Sequence, residues 1–515
     1  MRNRRTPNQL MFEGFETEFE RWLEPDNRWV LLSRIIPWEE LSAAYETSLS
    51  AHTGRPAKDG RLVIGAVIIK HKLCLSDEET IEQIRENPYL QYFVGFKAFH
   101  KEQAFAPSLF VEIRRRMGPE VFARFEDSII ARLSDHQNPA TAPDDNQTKP
   151  PGGGEAEPGD DAEPTPGDQE PTTHRGKLIV DATVVEQAIR YPTDLSLLNE
   201  AREISEAIID TLHPLSGMKK VRTYRRNGRR DYLALVKQRR PGVKKRCKAI
   251  DQQLRYLKRN LGHIEAMLDM LPGLEIPLPH KQLRQYRIIR HLYDQQKQMF
   301  DSRTRRCDDR IVSIHQPHVR PIIRGKQNKA VEFGAKLGVS LSGDGVACVD
   351  HLSWDAYHEG HDLPDQVEAY RHRHGHYPAK VLADPLYGTR DNRKFLKEKG
   401  IEFAGKPLGR PPKMASAESN ISRRQRQQDY RERIPIEGKF GQGKNGYDLN
   451  YIRARTAKTS EAWIRSIFLV MNLLVLIRFL FVRSSNHPVR ALATALMAIK
   501  LTLWTDVSAQ PTRSY

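Results

Sequence analysis

The stretch from Asp135 to His174 does most to limit how this chain can fold. Its 40 residues hold ten acids, one base (Lys149) and eight prolines, a net charge of −9. With almost no apolar side chains it cannot offset the entropy of ordering a backbone, so it reads as a disordered acidic linker (135–174). Such a tether could shield basic neighbours from a polyanion. The 515 residues therefore divide into a module over 1–134, a second body over 175–483 and a tail over 484–515.

Charge then narrows the partners. Lys and Arg number 82 against 65 Asp and Glu, a formal +17. Between Lys219 and Lys329 there are 30 bases and nine acids, so this segment alone exceeds the surplus of the whole chain. A polyanion is the expected partner, either nucleic acid or an anionic membrane face. The four cysteines (Cys74, Cys247, Cys307, Cys348) are far apart and form no CxxC. That speaks against a disulfide framework or a Cys-ligated zinc and suits a reducing, cytoplasmic compartment. No apolar h-region follows the basic N-terminus, so no signal peptide is expected. Ala462–Phe481 imitates a membrane span, but Arg465, Asn472 and Arg478 interrupt it. The longest uncharged run is 12 residues, short of the roughly 20 a span needs. It reads as a buried core helix, with no membrane involved.

Periodicity separates the two bodies. Residues 1–134 read as an all-α N-terminal module for DNA binding or dimerisation. One helix is expected over Asp59–Leu75, a second behind the capping box Ser76-Asp-Glu-Glu79, and a last one from Pro119. The first two have helix-turn-helix spacing. However, Asp77, Glu78, Glu79, Glu82 and Glu86 make the second acidic, so it is expected to face protein. DNA contact in the module then falls to Arg55, Lys58, Arg61, Lys70 and Lys72. Beyond the linker, strands are expected at Lys177–Val185, 332–341, 345–354, 379–384 and 401–404. Helices fall between them, and a basic helical insert occupies about 195–310. The pattern is an α/β fold with a mixed sheet and a helical insertion.

Two carboxylates stand out, because Asp181 and Asp384 end or interrupt apolar strands where an unpaired charge is costly. A strand-end Asp can also simply cap a turn. A third acid, Glu437, lies with Tyr430, Arg433 and Lys444 within about 60° of helical arc. One acid flanked by two cations and a phenol suits a metal beside a phosphate. The same pattern is also common on exposed, salt-bridged helices. Pro435 and the glycines at 438, 441 and 443 speak against one unbroken helix, with Pro435 a candidate first helical residue.

These residues resemble the DDE transposases of bacterial insertion sequences, in particular the insertion-sequence-five family. The signature Y-x2-R-x3-E-x6-K falls on Tyr430, Arg433, Glu437 and Lys444. The preceding acids fall in IVDATVV (Asp181) and LADPLYGTRDN (Asp384), and SAAYETSLSAHTGRPAKDGRLVIGAVIIKHKL is similar to the family's first domain. The resemblance covers about 8–130 and 177–480. It implies a ribonuclease-H-like core in which Asp181, Asp384 and Glu437 are the catalytic, metal-holding triad, separated by 203 and 53 residues. Carboxylate oxygens suit Mg²⁺ or Mn²⁺. Two such ions can activate a water or a 3′-hydroxyl and stabilise the leaving oxygen of an in-line displacement.

The expected activity is cleavage at transposon ends followed by strand transfer into target DNA. The partners would be double-stranded DNA, both inverted repeats and target, and a second copy in a synaptic homodimer at the bacterial nucleoid. Rival readings are a metal-dependent nuclease without strand transfer and a non-catalytic DNA-binding protein or repressor. Expected DNA contacts are Tyr430, Arg433 and Lys444, then Arg320, Arg324 and Lys326, then Lys219, Lys220, Arg222, Arg225 and Arg226. Gly54-Arg55-Pro56 and Gly409-Arg410-Pro411 resemble minor-groove hooks, the first more in keeping with a turn. His358-Glu-Gly-His361 is not HExxH, its histidines being three apart, and His372-Arg-His374-Gly-His376 alternates with cations before a strand, so neither reads as a metal site.

Overall fold

The computed structural model describes residues 17–50, 56–137, 174–271, 276–323, 331–405 and 417–483. Most of the linker, Arg55, Arg324, Lys326, the Gly409-Arg410-Pro411 hook and the tail lie outside these residues.

The N-terminal part is helical. Its central helix, Gly60–Leu73, is capped by Asp59, whose carboxylate accepts from Arg61 N at 2.9 Å, and ends at Cys74 in the left-handed conformation (φ 55°). Nearly every residue in it is buried. Glycines let neighbours come close: a Cβ on Gly60 would lie 2.7 Å from Ser42 Cβ, and one on Gly65 3.0 Å from Val94 Cγ1. The expected capping box forms, with Ser76 and Glu79 satisfying each other's backbone amides. The helix it opens, Asp77–Glu86, turns Asp77 inward and leaves Glu78, Glu79 and Glu86 exposed.

Among the described residues the second body is built on a six-stranded mixed sheet. Its strands are β1 (Lys177–Glu186), β2 (Arg320–Ile323), β3 (Val331–Ser342), β4 (Ala347–Ser353), β5 (Lys380–Ala383) and β6 (Glu402–Ala404). The order is β2–β3–β1–β5–β6, with β4 also on β3. β3 runs antiparallel to β1, β2 and β4, while β5 is parallel to β1 and β6. Between β1 and β2 the chain leaves the sheet to form four helices, Asp194–Ser216, Arg225–Val236, Val243–Asp269 and His280–Asp301. They enclose a core of their own, built from residues such as Leu198, Leu257, Ile264 and Ile289.

A long helix packs on both bodies. Ala457–Arg483 packs on β4 and on the N-terminal helices Gly60–Leu73, Leu109–Arg116 and Pro119–Gln137. Its stretch Ala457–Leu480 is long and apolar enough to cross a membrane, yet 67% of its apolar window is buried inside the fold. The polar residues that interrupt it serve the sheet. Buried Asn472 donates to Ala347 O (2.8 Å) and accepts from Ala347 N (3.0 Å), and Arg465 donates to Val349 O (2.9 Å). They satisfy backbone groups of β4 that would otherwise be buried without partners.

The helix bearing the Y-R-E-K signature departs from expectation. It runs unbroken over Ala417–Gly446 with Pro435 inside it. Proline there removes one donor and crowds the carbonyl four residues back. Both Pro435 and Arg431 are exposed, so water can solvate the freed carbonyl.

Candidate active site

Register brings the first two acids together. Val180 of β1 pairs with Ala383 of β5 in the parallel ladder, so the next residues, Asp181 and Asp384, leave the pair side by side. β5 ends there and β1 continues. Asp384 caps the short 3-10 turn Pro385–Tyr387, accepting from Leu386 N at 3.1 Å. Asp181 accepts from Ala182 N at 2.8 Å.

Two ion pairs that sequence reasoning missed dock the long helix across these strands. Lys177 of β1 meets Glu432 at 2.6 Å, and Lys380 of β5 meets Asp429 at 2.6 Å. One turn further along, Arg433 lies over the site. It reaches Asp181 Oδ2 at 3.4 Å and Glu437 Oε1 at 2.6 Å, joining the first acid to the third. Its guanidinium stands 5.8 Å from the ring centre of Tyr430, which is 62% exposed. Lys444 follows seven residues after Glu437, about 10 Å along the axis.

Burial pushes the Asp181 carboxyl up to about 6 against the pull of Ala182 N–H and Arg433, and the negative charges of Glu359 and Asp384 push it further. Glu359 was not among the expected site residues. The only sequence hint of it was the His358-Glu-Gly-His361 run, read for its histidines. It opens the 3-10 turn Glu359–Asp362 and pairs with Lys336 at 2.9 Å.

The donor set fits a hard divalent cation, being carboxylate oxygens with one acid half-buried among like charges. Among the described residues no group of three or more His, Cys, Asp or Glu side chains is closed around a metal-sized space. Arg433 occupies the position between Asp181 and Glu437, so the carboxylates are gathered by a guanidinium.

The other expected contacts are distributed differently. Lys219, Lys220, Arg222 and Arg226 are exposed. Arg225 is instead held by Asp210 (2.6 Å) and Glu206 O (3.0 Å). Lys220, Arg225 and Arg226 line a cavity of about 510 Å³ with Tyr224 and His213. Arg320 lies on β2, bonded to Pro317 O, with Asp355 at 3.5 Å. In the N-terminal part Lys58 is exposed. Arg61 donates to Phe93 O and Tyr92 O. Lys70 is only 1% exposed and bound to Asp77 at 2.9 Å, so its expected role as a DNA contact is corrected to a structural one.

Comparison with known proteins bears on both bodies. Residues 381–474 match the family described as Transposase DDE domain, a span that takes in Asp384 and Glu437. Residues 17–116 match Transposase domain (DUF772). A Rhizobium meliloti protein named "Uncharacterized protein ORF8 in nfe locus" is 36% identical over 106 residues, 21% of this chain and 51% of that protein. The chain thus spans about half the length of that relative. No solved structure matches. With a transposase match on each side of the linker, and the DDE match ending on the helix that packs on both bodies, the comparisons support an insertion-sequence DDE transposase.

Proposed function

We propose that this chain is a DNA transposase that cuts phosphodiester bonds at the ends of its element and joins the freed 3′-hydroxyl to target DNA. The observation that carries the reading is the convergence of Asp181 and Asp384 at the end of the β1/β5 pair, with Arg433 linking Asp181 to Glu437. The strand order and the long insertion after β1 support a ribonuclease-H-like catalytic domain. Asp181, Asp384 and Glu437 would hold divalent cations, Mg²⁺ or Mn²⁺ and two in number, which supply Lewis acidity at the scissile phosphate and an activated oxygen nucleophile.

The chain's own residues have separable tasks. Arg433 is a planar donor suited to a phosphate oxygen, and it can leave its carboxylates when a stronger cation binds them. Exposed Tyr430 and half-buried Lys444 extend that contact along one helix face, and the bases of the insert supply non-specific affinity. A second copy of the chain, in a synaptic homodimer, would let both element ends be held together.

The test is strand cleavage on a duplex carrying the element's end. Asp181→Asn, Asp384→Asn and Glu437→Gln should each abolish Mg²⁺-dependent cleavage while DNA binding by gel shift is retained. Undiminished cleavage in any one variant would remove that residue from the site, undiminished cleavage in all three would place the chemistry elsewhere, and DNA binding without Mg²⁺-dependent cleavage by the wild-type chain would leave a DNA-binding protein as the better reading.

A further inference from the structure

The geometry points to Glu359 as a fourth carboxylate of this site, resting on Lys336 until a divalent cation takes that place. The inference rests on the reading of Asp181, Asp384 and Glu437 given above.

Glu359 is held there by the fold. Its turn, Glu359–Asp362, lies against the turn that Asp384 opens. A Cβ on Gly360 would come within 2.8 Å of Leu386 O, so only glycine allows this approach. Buried Asn392 then fastens the two turns, its Nδ2 donating to Gly360 O (2.6 Å) and Tyr387 O (2.8 Å). Two acids, Glu359 and Asp384, are thereby fixed on adjoining rigid turns beside Asp181.

Two further observations show a place built for a polar guest. The Glu359 side chain is only 15% exposed and pairs with Lys336, which also donates to Tyr357 O at 2.8 Å. Tyr387 is fully buried, and its hydroxyl has no hydrogen-bond partner. Buried phenols normally find one. After burial, the negative charges of Glu359 and then Asp181 are what most suppress its ionisation, so both acids lie near this residue. Arg433 holds Asp181 and Glu437, and Lys336 holds Glu359. A divalent ion with six or more oxygen ligands to fill offers each acid a better partner.

The competing account is that Glu359 and Lys336 form only a structural pair. Mn²⁺ binding to the full-length protein without DNA, followed by electron paramagnetic resonance, separates the two, with circular dichroism reporting on folding. Glu359→Gln is expected to weaken Mn²⁺ binding roughly tenfold or more, whereas Lys336→Met should bind it as tightly as wild type or tighter. If both variants lose thermal stability alike and neither changes Mn²⁺ affinity, the inference is overturned. Asp181→Asn tells its failure from that of the underlying reading. Loss of Mn²⁺ in that variant alone overturns only the role of Glu359, and wild-type binding there overturns the triad itself. A second measurement needs no substitution: Fe²⁺ with ascorbate on the wild-type chain should cut the backbone near 358–360 as well as near 181 and 384. Cuts near 181 and 384 without any near 359 count against Glu359.

Discussion

The seam between the two bodies and the rim of the sheet both bury charge, and they do so in opposite ways. At the seam each charge has a close partner. Arg114 grips Asp77 with two bonds of 2.9 and 2.6 Å. Lys70 adds a third and stands 4.5 Å from the ring centre of Trp463, against which buried His71 also packs. Against the burial that would raise it, Asp77 is held below the usual carboxylate range by Arg114 and Lys70. At the rim, burial wins, and Asp181 is pushed up beside two other acids. A seam of matched charges is what holds two bodies together. A rim of mismatched ones stores a cost that a bound cation can relieve.

The comparison breaks first if the seam proves tolerant. Asp77→Ala leaves Lys70 and Arg114 buried without their carboxylate. It is expected to destabilise the protein by about 3–5 kcal/mol, read as a fall in denaturation midpoint. A loss below about 1 kcal/mol would mean that the seam opens readily and solvates its charges, as exposed pairs do.

The seam has one exception, and it is sensitive to pH. Glu126 of the N-terminal helix Pro119–Gln137 is buried against Arg373, which also pairs with Asp350 at 2.7 Å. Burial raises Glu126 to about 7; Arg373 and Arg465 oppose the rise, Cys348 Sγ–H does too, and Asp350 adds to it. Its folded value lies above the ordinary 4.5. Stability from this group is therefore complete below about pH 4.5 and lost as pH rises through 7. The loss is on the order of 3 kcal/mol. Glu126→Gln should flatten that decline between pH 5 and 8. An unchanged pH profile would place the decline elsewhere.

At the rim the sign reverses. Asp181 is raised from 3.8 to about 6, so its ionised form is a burden above that pH. Asp181→Asn should stabilise the metal-free protein at pH 7.5 by about 1–2 kcal/mol while cleavage disappears. Stability gained with activity lost is the signature of a strained functional group. A destabilised variant would show that Asp181 is a structural anchor.

Much of this was legible from pattern. The helix Leu363–His374 and the strand Val331–Ser342 follow from periodicity, and two strand-end acids and one helical acid were visible as separate features. That Asp181 and Asp384 are neighbours needs the β1/β5 register, which no local pattern encodes. Lys177–Glu432 and Lys380–Asp429 were hidden because each joins residues at least 49 apart that look like ordinary surface charges. Pro435 was misleading, since an exposed turn tolerates a proline that a buried one would not. Lys70 was misread for the opposite reason. Within Gly60–Leu73 it looks like a solvated base, and the packing of Asp77, Phe110 and Trp463 around it makes it a buried one.

The smallest expected effect on stability, and the sharpest contrast with the seam, lies in the insert. Lys219, Lys220, Arg222 and Arg226 are exposed, so replacing them with Ala should change stability by no more than about 0.5 kcal/mol. Their effect should appear in DNA binding. Removing one base that neutralises a phosphate lowers the slope of log K against log salt by about 0.9, equally for all sequences. Arg225 is the internal control. Its guanidinium already holds Asp210 and Glu206 O, bracing the first two insert helices, so Arg225→Ala should cost stability and leave the salt slope nearly unchanged. If instead Arg225→Ala flattens the slope as much as Arg226→Ala does, the Asp210 pair opens in the presence of DNA and Arg225 joins its neighbours in binding phosphate.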